Sequence, residues 1–378
     1  MKISILCFDL STNATGRADL LARLLAPRYE VEVVGPCFGR DLWRPVQGGP
    51  VPYRSVSGAR YPGFLVALPR LLSLADGDLI YASKPRPTSL GVGLLKRLLS
   101  RHQLVLDIDD WEVGFFYHAG LWGRIGRFLN LANPNGLPWT WMLERLVHRV
   151  RFRTVASRFL QSRFGGLLIP HVRDTEAWSP GAHDPAPARS RLGISREKVI
   201  MFLGTPRDYK GVDDLAEAVR RLKRADVILA LVGTDPDSPT GRRLRAVAPG
   251  VRCVGEIPFA EIPHYLEAAD VVAVPQRRSS ESLGQVPAKL FDAMALGRPI
   301  VSTQVSMVPE ILDGCGVVVE PDDPEALSHA LAFLLDHPDE ASAFGRRARA
   351  RAEERYSYAA ARRLLFPLIE SAARGARA

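Results

Sequence analysis

Short apolar runs alternate with longer helical patterns along most of this chain. In the first half, the apolar runs at 2–7, 31–34, 79–82 and 104–108 are typical of buried strands, and the periodicity of 17–25, 64–74 and 89–99 is typical of helices. Strands that alternate with helices in this way predict a parallel sheet with helices on both faces.

A second series of the same kind follows a change of texture near residue 170. Residues 175–190 contain several prolines and no periodicity, so they predict a linker. Apolar runs then recur at 199–203, 227–232, 251–254, 271–274 and 317–319. With 378 residues, the chain exceeds one ordinary core. We therefore predict an α/β protein of two Rossmann-like doubly wound domains that face each other across a cleft, at residues 1–178 and 179–357. The helical segment 358–378 is expected to pack back on the first domain.

The polar stretch after the strand at 271–274 holds the first candidate binding groups. A serine-rich loop, 275–284, leads into a short helix within 285–304. A strand, a polar loop and a helix N-terminus form the phosphate-binding crevices of α/β proteins. Lys289 and Asp292 are three residues apart and share one face of this helix. A cation and an acid there could hold a phosphate and a sugar hydroxyl of one ligand.

A pair of cations follows the first strand of the second series. Gly204 opens the turn after that strand, and Arg207 and Lys210 come just before the next predicted helix. Two cations and free backbone amides at a helix start suit a diphosphate. Two solvated surface cations would give the same pattern. The binding interpretation gains weight because Lys289 is expected at the carboxyl edge of the same sheet.

Acidic residues cluster where the strand at 104–108 ends, at Asp107, Asp109, Asp110 and Glu112. Like charges raise one another's pKa, so such a cluster usually marks a site, and α/β sites lie at the carboxyl ends of strands. Capping of the next helix by Asp109 or Asp110 is the alternative. His118 follows as an acid–base candidate or as a structural histidine.

Composition narrows the class of protein. Hydrophobic residues make up 47% and charged residues 24% of the chain, as in soluble globular proteins. No apolar run reaches the ~18 residues of a membrane span, and the first residues lack the pattern of a signal peptide. The four cysteines have no metal-binding spacing, which favours a reducing cytoplasm. The net charge of +9 comes mostly from arginines spread through helices, without interleaved aromatics, which disfavours nucleic acid as a partner.

Tryptophan and arginine are frequent between residues 120 and 153. Arg124 and Arg127, with neighbouring apolar residues, could form a basic amphipathic surface that rests on a bilayer. A packed helix with a solvated basic face explains the same residues. Peripheral contact with the inner face of the cell membrane is therefore one of two open interpretations.

Several segments of the second half together resemble the large retaining glycosyltransferase family 4, which has the GT-B fold and uses nucleotide-sugar donors. In order, they are G-T-P-R-D-Y-K-G-V at 204–212, V-G-E-I-P at 254–258, A-A-D-V-V-A-V-P at 268–275, P-A-K-L-F-D-A-M-A-L-G-R-P-I-V at 287–301 and V-P-E-I-L-D-G-C-G-V-V-V-E-P-D-D at 308–323. In the first half, V-A-S-R-F-L before I-P-H-V-R-D-T-E-A-W-S-P matches the family's interdomain segment. Several motifs in a fixed order are more specific than any one of them.

The resemblance implies roles for individual residues. Arg207 and Lys210 match the family's basic pair on the donor diphosphate. Asp292 matches the second acid of a paired-acid motif, which binds the nucleotide ribose. The segment around Ile257 matches the part that lines the base, and Gly16 matches the loop near the donor phosphates.

The chain departs from the family where the first acid of that pair is expected. The position falls on Gly284, which leaves the contact to the donor sugar unassigned. Gln285 and Val286 beside it, together with Gly204 and Lys289, complete the predicted donor-binding residues.

The activity implied by the resemblance is transfer of a sugar from a GDP or UDP sugar to an acceptor hydroxyl. The acceptor would be a glycan, a lipid-linked glycan or a small glycoside, and the reaction would retain the anomeric configuration and need no metal or other cofactor. Arg207 and Lys210 would stabilise the leaving diphosphate, and Asp109, Asp110 and His118 would position the acceptor. A nucleotide-sugar epimerase of the same fold, or an inactive nucleotide-binding scaffold, is the alternative. A dehydrogenase is disfavoured because no G-x-G-x-x-G follows the first strand.

Overall fold

The computed structural model describes residues 1–100, 102–116, 121–248 and 250–375, without the side chains of residues 121, 122, 124 and 125. The chain divides into two compact units. Unit 1 comprises Met1–Pro170 with Ala361–Ala378, and unit 2 comprises His171–Ala360. His118, a predicted acid–base residue, lies outside the described residues.

Unit 1 is built on a parallel sheet. Its strands are β1 (Lys2–Cys7), β2 (Glu30–Cys37), β3 (Tyr53–Ser57), β4 (Leu79–Ser83), β5 (Gln103–Ile108), β6 (Phe152–Val155) and β7 (Leu167–Leu168). Their order in the sheet is β3-β2-β1-β4-β5-β6-β7. In the register, Leu6 pairs with Val34 on one side and with Ala82 on the other. The order reverses direction at β1, as in doubly wound sheets.

Helices cover this sheet and supply its apolar contacts. They are α1 (Thr15–Leu25), α2 (Gly63–Leu74), α3 (Val92–Ser100), α4 (Leu121–Leu129), α5 (Leu137–Leu146) and α6 (Arg158–Phe164), and a π-helical turn (Pro87–Gly91) precedes α3. Short 3₁₀ turns lie at Arg44–Val46, Gly114–Phe116 and Val147–Arg149. Leu71, Leu143 and Leu160 come from three of these helices and are buried in one core with the strands. The apolar faces of α2, α5 and α6 therefore explain their positions on the sheet.

Unit 2 repeats the plan with a second parallel sheet. Its strands are β8 (Lys198–Leu203), β9 (Val227–Val232), β10 (Val251–Val254), β11 (Val271–Val274), β12 (Ile300–Thr303) and β13 (Val317–Val319), in the order β10-β9-β8-β11-β12-β13. All six residues of β9 are buried, as expected for a strand covered on both faces. The predicted doubly wound α/β architecture is confirmed in both units.

The helices of unit 2 are α7 (Ala186–Leu192), α8 (Val212–Leu222), α9 (Pro239–Val247), α10 (Ile262–Glu267), α11 (Ser280–Leu283), α12 (Ala288–Ala295), α13 (Val308–Leu312), α14 (Pro324–Asp336) and α15 (Pro338–Arg355). Short 3₁₀ turns precede α8 at Asp208–Lys210 and α10 at Phe259–Glu261. Leu215 of α8 and Leu331 of α14 are fully buried in one core with the sheet. The last helix, α16 (Tyr358–Arg374), groups with unit 1 from Ala361 onward.

Two local expectations were wrong. Residues 175–190 do not form an unbroken linker, because α7 begins at Ala186, where Pro185 and the Asp184 carboxylate suit the first helical turn. The polar loop 275–284 contains helix α11, whose N-cap is the Ser279 side chain. Among the described residues, no helix combines the length and the apolar character needed to cross a membrane.

Candidate active site

Two lysine ammonium groups meet at the carboxyl edge of the sheet in unit 2. Gly204 directly follows β8 and has a φ of +112°, a conformation that favours glycine. A Cβ at this position would lie 3.4 Å from Lys289 Nζ and 3.9 Å from Lys210 Nζ. The missing side chain therefore leaves a space that both ammonium groups border.

The loop that carries Lys210 is held by close backbone contacts. Lys210 Nζ donates to the Thr205 carbonyl at 2.8 Å. Gly211 follows with a φ of +62°, and a Cβ there would lie 1.8 Å from the Pro275 carbonyl oxygen. Only glycine fits this contact, which holds the start of α8 against the loop after β11.

Lys289 lies in the first turn of α12 and is partly buried. Its Nζ is 3.8 Å from the centroid of the Phe202 ring. Burial lowers the pKa of Lys289 well below its ordinary value; Lys210 lowers it further, and Asp292 opposes the shift. An anion bound between the two lysines would remove the repulsion between them.

Asp292 is buried on the same helix and is already paired. Arg173 Nε donates to Asp292 Oδ1, and both residues are less than a tenth exposed. Burial raises the pKa of Asp292, and Arg173 opposes this rise. The predicted ribose acceptor is thus a carboxylate with one oxygen engaged by an arginine that was not foreseen.

The remaining predicted donor residues have different surroundings. Arg207 is exposed at the start of the 3₁₀ turn, and its side chain makes no hydrogen bond or ion pair within the described part of the chain. Gly284 ends α11 and is buried, and Gln285 is partly buried with its side-chain oxygen 3.4 Å from Gln276 Nε2. Val286 is 1% exposed, so its side chain belongs to the core.

Two further predicted positions bring no polar side chain to the site. Ile257 follows β10 and is 6% exposed. Gly16 lies in the first turn of α1, in unit 1, where a Cβ would be 3.2 Å from the Trp43 ring. Gly16 therefore makes room for an aromatic side chain, whatever ligand the loop binds.

The acidic cluster of unit 1 surrounds a buried lysine. Lys84 Nζ lies 3.0 Å from Asp109 Oδ1 and 3.0 Å from Glu112 Oε1, and it donates to Asp110 Oδ2. Lys84 follows β4 with a φ of +73°, which is strained for a residue other than glycine. Its backbone N–H donates to the Asp107 carbonyl at 2.8 Å, which holds the residue in this conformation.

These charges shift one another's pKa values. Burial raises the pKa of Asp109 to about 7; Lys84 opposes this rise, and Asp110 adds to it. Burial would also raise the pKa of Glu112, but Arg86 and Lys84 together lower it. Asp109 Oδ1 is within ion-pair distance of Lys84 but makes no hydrogen bond, so their attraction is ionic.

The cluster has the donor set of a cation site and contains its own cation. Oxygens of Asp109, Asp110 and Glu112 lie close enough together to bind one metal ion. The ammonium of Lys84 contacts all three carboxylates. Beneath them, Arg17 neutralises Asp107 through two hydrogen bonds of 2.9 and 2.8 Å.

Sequence reasoning missed Lys84 and Arg173. Lys84 directly follows an apolar strand, so its place at the carboxyl edge could have been recognised. Arg173 lies in a proline-flanked segment without periodicity. Its partner Asp292 is 119 residues away, and no local pattern indicates that contact.

The fold is that of a doubly wound α/β protein, and the paired ammonium groups suit a phosphorylated ligand. Comparison with known proteins shows which family within this class the chain resembles. A family model described as "Glycosyl transferases group 1" matches residues 197–337. A "GDP-mannose-dependent alpha-(1-6)-phosphatidylinositol monomannoside mannosyltransferase" from Mycolicibacterium smegmatis is 30% identical over 293 residues, which are 69% of this chain and 74% of the relative.

This chain belongs to the glycosyl transferases group 1 family. A GDP-mannose-dependent mannosyltransferase from Corynebacterium glutamicum is also 30% identical, over 203 residues, which cover 50% of this chain and 52% of that relative. The predicted glycosyltransferase activity with a nucleotide-sugar donor is confirmed at the level of the family. These comparisons do not support the epimerase or scaffold alternatives.

Solved structures agree on the fold. HepE from Anabaena, crystallised with UDP-glucose, has a TM-score of 0.76 at 18% identity and covers 98% of this chain and 100% of its own. Sucrose-phosphate synthase from Thermosynechococcus elongatus has a TM-score of 0.73 at 18% identity and covers 98% of both chains. Both neighbours support the predicted GT-B-type fold of two α/β units.

Proposed function

We propose that Lys210 and Lys289 bind the diphosphate of the sugar donor, with Arg207 closing over it from the exposed side. The observation that supports this most is the approach of two ammonium groups to the space beside Gly204. Two like charges are held together at an energetic cost, and a bound diphosphate would offset that cost. The same charges stabilise the diphosphate as it leaves, which accelerates transfer.

The other donor contacts follow from the same edge of the sheet. Asp292 accepts hydrogen bonds from the ribose, and the backbone around Ile257 lines the base. Gly284 replaces an acid, so the donor sugar is held by Gln285 and by the backbone of residues 284–286. The relatives make GDP-mannose the first donor to test and UDP-glucose a second.

The reaction proposed is retaining and independent of a metal ion. The bond from the anomeric carbon to the phosphate oxygen breaks, and the acceptor oxygen attaches on the same face. The acceptor proton passes to an oxygen of the departing diphosphate, so no enzyme nucleophile is required. Lys210 and Lys289 supply the positive charge that a metal ion brings in other transferases.

The acceptor side of the proposal lies in unit 1. Asp109, with a pKa of about 7, and Asp110 are the described candidates for holding the acceptor hydroxyl; His118 remains a prediction. The names of the two relatives make phosphatidylinositol mannosides the first acceptors to test. The setting proposed is glycan biosynthesis in the cytoplasm.

Unit 1 also exposes apolar side chains that suit peripheral contact with a membrane. A groove of about 210 Å³ between α2 and α5 is lined by apolar residues that include Leu65 and Met142, and these are 55% and 45% exposed. Arg145 lies over the neighbouring Trp141 ring, 3.1 Å from its centroid. We expect the protein to cosediment with vesicles that contain anionic lipid. Equally weak binding to neutral and to anionic vesicles would contradict membrane contact.

The donor site is tested by substitution and nucleotide binding. Lys210→Met and Lys289→Met should each abolish the thermal stabilisation by GDP or UDP and the transfer of sugar. Lys198→Met is the matched control, because Lys198 begins β8, the strand that Gly204 follows, and pairs with Asp270. A nucleotide at about 100 times its dissociation constant should stabilise the unaltered protein by roughly 2.7 kcal/mol. Unchanged stabilisation in both active-site variants would refute the assignment.

A further inference from the structure

Arg173 and Asp292 form a buried ion pair beside the proposed donor site. Arg173 is 7% and Asp292 is 5% exposed. Arg173 Nε donates to Asp292 Oδ1, and Arg173 Nη1 donates to the Val172 carbonyl at 2.8 Å. The second carboxylate oxygen, Oδ2, has no hydrogen-bond partner among the described residues.

Arg173 is held in place without help from Asp292. Its backbone N–H donates to the Tyr356 carbonyl at 2.9 Å, and its carbonyl accepts from the Tyr358 N–H at 3.0 Å. Its guanidinium lies 5.7 Å from the centroid of the Trp178 ring and 5.4 Å from that of Phe259. The backbone and the side chain of Arg173 are thus both fixed by residues outside α12.

The helix that carries Asp292 is attached to the same place. Phe291 packs edge-on against Tyr356, with ring centroids 4.9 Å apart. Tyr356 also accepts the backbone hydrogen bond of Arg173, so this residue contacts both the arginine and the helix that carries the carboxylate. Neither partner can move without breaking contacts that involve its neighbours.

We propose that Arg173 is a positioning residue, which orients Asp292 so that Oδ2 faces the hydroxyls of the donor ribose. This inference rests on the proposed function, because it requires that Asp292 bind the donor. A carboxylate accepts hydrogen bonds at both oxygens only in its ionised form. Burial raises the pKa of Asp292, and Arg173 counteracts this. The arginine therefore also favours the ionised form of the carboxylate.

Arg173→Met should consequently weaken donor binding in a pH-dependent way. Without the arginine, the pKa of Asp292 rises further, and the carboxylate becomes an acceptor only at higher pH. We expect the factor by which the donor KM increases to be larger at low pH than at high pH, by up to about tenfold for each unit by which the pKa of Asp292 rises. The acid limb of kcat/KM should move to higher pH.

Two further variants separate orientation from charge. Arg173→Lys keeps the positive charge but loses the guanidinium geometry, so the KM should rise while the acid limb stays in place. Arg224→Met is the matched control: Arg224 also belongs to unit 2 and pairs with acids, Asp226 and Asp336, but none of the three is a proposed donor residue. Its KM and pH profile should equal those of the unaltered protein.

The Asp292→Asn variant distinguishes failure of this inference from failure of the proposed function. If Asp292→Asn raises the donor KM and Arg173→Met raises it by the same factor at every pH, Arg173 has only a structural role and the inference is overturned. If Asp292→Asn leaves the KM unchanged, the ribose assignment itself fails and the inference fails with it. Should Arg173→Met not fold, Arg173→Lys decides, since an unchanged KM in that variant also overturns the inference.

Discussion

Replacement of Lys84 by methionine is the strongest test of the electrostatics in unit 1. The substitution keeps an unbranched apolar side chain and removes the ammonium that contacts Asp109, Asp110 and Glu112. Breaking a buried ion pair by removing one partner costs about 3–5 kcal/mol. Arg86 stays beside Glu112, so the loss falls mainly on Asp109 and Asp110. We expect the variant to lose about 4 kcal/mol of unfolding free energy near pH 8.

The pH dependence of this loss follows from Asp109. Its pKa is already raised to about 7, and loss of Lys84 raises it further. The folded variant then binds a proton that the unfolded chain releases above about pH 4, so stability falls as pH rises through that window. For each extra proton that the folded state holds, the slope is about 1.4 kcal/mol per pH unit. The unaltered protein also holds this proton below about pH 7, so the two proteins differ mainly between pH 7 and 8, and near pH 6 the loss should be about 3 kcal/mol.

Urea unfolding, followed by tryptophan fluorescence at pH 6 and at pH 8, measures the loss of unfolding free energy in Lys84→Met. Five of the six tryptophans belong to unit 1 and only Trp178 belongs to unit 2, so the signal reports mainly on unit 1. Lys2→Met is the matched control: Lys2 also contacts two acids in unit 1, but its side chain is 24% exposed, and the expected loss is about 1 kcal/mol or less. A loss in Lys84→Met as small as in the control, or equal at both pH values, would refute the reasoning.

Three other substitutions test separate features. Gly211→Ala places a Cβ against the Pro275 carbonyl at positive φ, so urea unfolding should show that unit 2 loses at least about 2 kcal/mol of unfolding free energy. In the control, Gly255→Ala, the Cβ meets nothing within 4 Å, and the stability should change by less than about 0.5 kcal/mol. Similar losses in the two variants would argue against the steric account. Lys289→Met removes a group whose pKa is lowered in the folded state, so the unfolding free energy should rise. The rise should be larger at lower pH, because there the unfolded chain binds a proton that the folded state does not bind. A destabilised variant would contradict this prediction. Asp109→Asn should abolish any limb near pH 7 in the pH–rate profile of sugar transfer, and a persistent limb would assign that titration to another group.

Sequence reasoning predicted those elements whose residues are buried on both faces. The strands at 227–232 and 271–274 have the predicted bounds, and every residue of both is buried, because an uninterrupted apolar run is stable only in the interior of a sheet. Strand β3 was missed because only Val56 of its five residues is buried. Strand β6 was missed because Arg153 and Thr154 interrupt its apolar residues, and strand β7 has only two residues.

The proximity of Lys210 to Lys289 was predictable for a topological reason. Parallel strands place their carboxyl ends at one edge, so residues that follow neighbouring strands meet there. The same reasoning applies to Lys84 and Asp109, which follow the neighbouring strands β4 and β5. It does not apply to Arg173, which lies 119 residues from Asp292. That pairing depends on how distant segments pack, which local periodicity does not encode.

The bridge between Arg173 and Ser357 has a consequence for how this protein can be recombined. Unit 2 begins at His171 and ends at Ala360, so the bridge joins its two ends, and the residues matched by the family model lie wholly between them. A segment with joined ends behaves as a cassette, because replacing it alters the chain at only two neighbouring points. Exchange of residues 171–360 with those of a relative should therefore transfer the donor preference of that relative, provided that the equivalents of Arg173 and Asp292 are exchanged together.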